Sequence, residues 1–156
     1  PSERVLAVKE FFDRARIPSR VPEDMIRDLW WKFMLNVGIN QASAILRAPY
    51  RVFQRLPEAK SLMDAAMREV MLISRARGIH LDEADMARAH EPIAKLSPEG
   101  KTSMLQDIEA GRRTEVEMFS REVVAQGETY GIPTPVNQTL YWMIRTLEKE
   151  RELGDS

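Results

Sequence analysis

The chain has 156 residues and a mass of 18.0 kDa, the size of one ordinary domain. Hydrophobic residues are 44% and charged residues 30%, which excludes a disordered chain, and 23 basic against 24 acidic residues lack the excess of a nucleic-acid or anionic-membrane binder. The absence of cysteine excludes disulfides, thiolate metal sites and thiol catalysis.

Residues 2–16 read as an amphipathic helix with Val5, Val8, Phe11 and Phe12 on one side. Residues 17–22 read as extended, because Pro18 and Pro22 forbid helix and restrict their predecessors. With nothing to pair with, this piece is expected to end something that lies before Pro1. A long helix is predicted from about Glu23 to Leu46, opened by Pro22 and two acids. Its middle, Leu29 to Asn40, is apolar nearly all round, which predicts burial on most sides. Residues 48–50 break it. Further helices are predicted over 58–77, 82–95, 103–110 and 114–130, stopped in turn by features such as Gly78, Gly111 and Gly131. Thr134 and Pro135 open a last helix, whose charged end from Glu148 to Ser156 is expected to fray. No alternating run predicts a sheet. The expected fold is an all-α bundle of about six or seven helices around a nearly buried central one. No stretch approaches the roughly 20 uncharged apolar residues of a membrane span. Residues 1–20 carry charges throughout and lack the apolar core of a signal peptide, so a cytoplasmic location is expected.

The predicted central helix carries a polar stripe. Lys32, Asn36 and Asn40 follow at four-residue intervals and Ser43 three later, within an arc of roughly 80°. Unpartnered burial would cost about 1–3 kcal/mol per group, so the stripe faces an internal network, water or a ligand cleft. Ser103 and Gln106 have the spacing of a capping box, and a helix start there equally suits a carboxylate. Glu115 falls in a predicted first turn, where a solvated acid is the simpler reading. His80 and His90, near Asp82, Glu83 and Asp85, match no compact ligand pattern, and no metal site is expected. The 9 methionines sit at core phases and read as gap-fillers. No glycine-rich phosphate loop is present.

Residues 29–43, LWWKFMLNVGINQAS, resemble the W-x-K-x-x-x-N-x-x-x-N-x-x-[ST] helix of ketopantoate reductases (2-dehydropantoate 2-reductases). Residues 103–115, SMLQDIEAGRRTE, resemble that family's S-M-x-Q-D-x-x-x-x-R-x-T-E signature, and residues 131–137, GIPTPVN, its G-x-x-x-P-x-N segment. The resemblance spans roughly residues 23–150. It implies the family's C-terminal helical domain, of the 6-phosphogluconate dehydrogenase C-terminal-like type, over residues 23–156. Residues 1–22 would then be a remnant of the preceding NADPH-binding domain and linker. The implied activity is NADPH-dependent reduction of 2-dehydropantoate to pantoate, in pantothenate and coenzyme A biosynthesis, by the full-length protein; this chain alone is expected to be inactive.

The resemblance further implies that Lys32 is the general acid, that Asn36, Asn40 and Ser103 hold the 2-keto acid, and that Glu115 lies beside substrate and nicotinamide ribose. The cofactor would be NADPH, bound mainly by the absent domain. Many family members have Asn where this chain has Tyr50, in Pro49-Tyr50-Arg51. That departure leaves open a reductase of another 2-keto acid. A non-catalytic helical dimerisation module is the alternative from another class. A small keto acid is the expected partner, with a homodimer open and neither nucleic acid nor membrane expected.

Overall fold

A computed structural model describes residues 1–154, and the regular elements among them are all helical, as the periodicity predicts. They are α1 (Glu3–Arg14), α2 (Met25–Leu46), α3 (Tyr50–Arg55), α4 (Pro57–Ala76), α5 (Glu83–Lys95), α6 (Ser103–Glu109), α7 (Glu122–Tyr130) and α8 (Pro135–Gly154). A π-helical turn, Glu117–Arg121, leads into α7. None of the described helices is long and apolar enough to cross a membrane.

α2 starts where the Asp24 side chain accepts from the Arg27 N–H at 2.9 Å. It ends at Arg47, whose φ of 48° is left-handed. Helices α4, α6 and α8 pack around its C-terminal half. Gly38 permits that packing, since a Cβ there would stand 2.7 Å from Met67 Cγ and 2.9 Å from Met63 Cγ. Met34, Val37 and every residue from Gly38 to Ala44 are buried. The N-terminal half differs: Met25, Ile26 and Leu29 are each more than half exposed. The expectation of a nearly buried central helix therefore holds for its C-terminal half only. An all-round apolar sequence marks surface that gets covered, and the described residues leave much of this end open. α1 likewise buries no residue, and Leu6 and Phe11 stand open.

The last helix is seated by a side chain that its own sequence does not contain. Glu69 of α4 is 6% exposed. Its carboxylate accepts from the Val136 N–H at 2.8 Å, the Asn137 N–H at 2.9 Å and Asn137 Nδ2 at 2.7 Å. A buried anion thus caps the free N–H groups and positive end of α8. Asn137 Nδ2 also donates to the Ala66 carbonyl, and Gln41 Nε2 of α2 donates to Asn137 Oδ1 at 3.2 Å. Helices α2, α4 and α8 are knotted together at this point.

Three boundaries depart from expectation. α2 does end at Leu46, before the expected break at residues 48–50, but Pro49 then takes the N-cap position of a short helix not expected, α3, which is held from outside: Tyr50 N–H donates to the Gly100 carbonyl and Arg51 N–H to the Pro98 carbonyl. The helix expected at 114 begins at 117, because Glu148 accepts from both the Thr114 N–H and hydroxyl, at 2.7 and 2.8 Å. α8 is helical past Glu148 to Gly154, where a fraying end is expected; the final two residues of that expectation lie outside the described ones. Glu148 also pairs with Arg145. Burial alone would push its carboxyl up, but the Thr114 donors and Arg145 outweigh burial and hold it below the ordinary value.

Candidate active site

Helix α2 places Lys32, Asn36 and Asn40 on one face, and Asp28 extends the row one turn toward the N-terminus. Lys32 lines a recess of about 350 Å³ together with Arg20, Met25, Asp28, Leu29 and Arg88. Its amine makes no hydrogen bond or ion pair among the described residues. The same holds for the Asn36 and Asn40 amides, and neither is sealed from solvent. Only 9% of Asn40 is exposed, yet neither amide atom is both buried and unpartnered. All three groups can be served by water, which a ligand can displace. One amine and two amides are therefore free to meet a ligand.

The Ser43 hydroxyl does not share this freedom. It donates to the Ala48 carbonyl at 2.7 Å and accepts from Thr102 Oγ1 at 3.1 Å. Here the stripe becomes structure, and what it holds is the start of α6. Thr102, not Ser103, caps that helix, with Oγ1 accepting from the Leu105 N–H at 3.1 Å. The capping box expected of Ser103 and Gln106 is absent, and Gln106 Nε2 donates instead to the Lys101 carbonyl. The consequence favours a site: Ser103 is exposed, its hydroxyl unpaired, and the Ser43–Thr102 bond ties its neighbour to α2.

Glu115 is exposed and unpaired. It precedes the π-helical turn and is positioned by its buried neighbour Thr114. It makes no ion pair with Lys32 or any other group among the described residues. The carboxylate that does share the lysine's recess is Asp28, which the motif did not single out. Its spacing of four residues before Lys32 was the available signal.

Tyr50 packs its ring against Gly100, where a Cβ would lie 3.0 Å from the ring, in the loop leading to Ser103. Its hydroxyl has no partner among the described residues, and burial pushes the phenol above its ordinary value. His90 Nε2 lies 2.7 Å from Asp64 Oδ1, bridging α5 to α4 away from the stripe. Among the described residues no cluster of His, Asp and Glu could hold a metal ion.

A family profile described as the ketopantoate reductase PanE/ApbA C-terminal domain matches residues 24–148. The chain belongs to that family. It is 32% identical over 141 residues to the 2-dehydropantoate 2-reductase of Archaeoglobus fulgidus, covering 90% of this chain and 47% of the relative. The ketopantoate reductase of Ralstonia eutropha JMP134 superposes with a TM-score of 0.84 at 30% identity, over 97% of this chain and 51% of that one. A D-mandelate dehydrogenase with NADH and anilino(oxo)acetate superposes as well, with a TM-score of 0.84 at 18% identity, over 96% and 50%. That last likeness is one of fold. The chain spans about half the length of the curated relatives it matches.

Proposed function

We propose that this chain is the substrate-binding and catalytic half of an NADPH-dependent reductase that converts 2-dehydropantoate to pantoate. The observation that carries this reading is the row of unpaired Lys32, Asn36 and Asn40 on one accessible helix face, in a chain of this family. Reduction of a ketone builds negative charge on its oxygen. The Lys32 ammonium is the one group of the row that can both offset that charge and give up a proton to the oxygen. Asn36 and Asn40 can donate and accept, which suits a hydroxyl and a carbonyl on the same small acid. The free Ser103 hydroxyl is a donor for the substrate carboxylate.

The hydride would come from the nicotinamide cofactor when bound. The described residues include no strand and no glycine-rich loop, so its main contacts fall to a separate domain. What this chain offers is Glu115, an unpaired carboxylate that suits the paired hydroxyls of a ribose. The apolar ends left open on α1 and α2 fit contact with that domain, with residues 1–22 as its remnant and linker and 23–156 as the helical domain. The chain alone would then be inactive, and a cytoplasmic biosynthetic role follows from the substrate.

Tyr50 favours a second reading within the same chemistry. An aromatic ring beside the Ser103 loop, in place of an amide, alters what the substrate's far end meets. Steady-state rates of the full-length protein on a panel of 2-keto acids, with and without Lys32→Ala, test both readings. Ketopantoate should lead the panel and the variant should lose turnover. Ketopantoate ranking below another keto acid would select the second reading. A variant that kept its rate would remove the role of Lys32.

A further inference from the structure

Asp28 and Arg20 take no part in the chemistry above, yet both line the recess of Lys32. An acid four residues before a lysine on a helix is well placed to pair with it. Asp28 has that spacing, but its carboxylate is paired with the Arg20 guanidinium from the extended segment preceding α2, and Lys32 is left unpaired. Arg88, the remaining cation of the recess, is engaged elsewhere: it bonds Asp85 at 3.2 Å and lies 4.5 Å over the Trp31 ring. Arg20 is therefore the group that decides where Asp28 points.

We infer that Arg20 is a positioning residue which, by holding Asp28, withholds that carboxylate from Lys32 and keeps the ammonium free for an oxygen of the substrate. Without Arg20, Lys32 stands one helical turn from Asp28, at the spacing from which the two can pair. A captured ammonium is turned aside and its charge is already answered, so it serves a developing oxyanion less well. The kinetic consequence rests on the proton-donor role proposed for Lys32; the choice of partner by Asp28 does not. Arg20 is 75% exposed and Asp28 29%, and exposed pairs shift an equilibrium by about 1.5- to 5-fold.

The test uses the full-length protein carrying this chain. Arg20→Gln should lower kcat by about two- to fivefold with little change in KM. Arg20→Lys should keep most of the rate, and adding Asp28→Asn to Arg20→Gln should restore it, because the competing carboxylate is gone. In the same proteins, the Lys32 ε-carbon NMR signal should move in Arg20→Gln and return in the double variant. An unmoved signal and unchanged kcat in Arg20→Gln, or a double variant that stays slow, overturns the inference. A signal that moves and returns while Lys32→Ala keeps full turnover supports the pairing and removes the proton-donor role instead. The two failures are thus distinguishable.

Discussion

The two halves of α2 carry similar residue types and end in opposite conditions. In the C-terminal half the Gln41 Nε2 and the Ser43 hydroxyl are buried and spent on the protein itself, on Asn137, Thr102 and nearby carbonyls, while Gln41 Oε1 is buried without a partner. In the N-terminal half Lys32, and at the midpoint Asn36, reach solvent unpaired, in a helix whose first apolar residues are more than half exposed. Asn40 sits beyond the border, largely buried but with no amide atom sealed off unpartnered. Residue type does not separate the halves; what packs against each does. α4, α6 and α8 close over the second half, and α5 flanks the first, with Trp31 Nε1 bonded to the Asp85 carbonyl at 2.9 Å. Substitutions in the closed half and its supports should cost stability, and substitutions in the open half should cost turnover.

The largest effect belongs to the open half. Lys32→Ala in the full-length protein should lower kcat by about 10²–10⁴ while its circular dichroism and melting curve stay put, since the side chain is exposed and holds nothing. Next comes the support of the closed half. Glu69→Ala strips three hydrogen bonds from the buried start of α8 and should destabilise the domain by about 2–4 kcal/mol in urea unfolding. A smaller loss is expected from Asn36→Ala: kcat/KM down about tenfold, at unchanged stability, because no internal bond is broken.

The smallest effect lies at Glu148, whose folded-state carboxyl sits below its ordinary value of 4.5. A depressed carboxylate contributes stability above its unfolded value and loses it as pH falls through the folded one. Acid unfolding of the wild type should therefore steepen below about pH 4.5. Glu148→Gln should be less stable at neutral pH and show a shallower fall there.

Much of this was legible from sequence. Periodicity placed the helices, because apolar spacing is set by the same burial that holds the bundle. The row of Lys32, Asn36 and Asn40 followed from helix geometry alone. What escaped was tertiary in origin. Glu69 sits on the core face of α4 and acts on a helix 66 or more residues later, with no local pattern to announce it. The shift of the cap from Ser103 to Thr102 depended on Ser43, which only the packing of α6 on α2 brings near. The exposure of the α2 N-terminus could not be read from an apolar run, which reports that a surface is to be covered without saying by what.

The division of α2 can be tested on the side-chain amides themselves. The full-length protein, with oxidised cofactor bound, would be titrated with ketopantoate while the NH₂ signals of Asn36, Asn40 and Gln41 are followed by NMR. Saturating shifts at Asn36 and Asn40, with Gln41 unmoved, are the expected result. Saturating binding that leaves both asparagines still, or that moves Gln41 alone, would contradict the assignment of the open face as the substrate site.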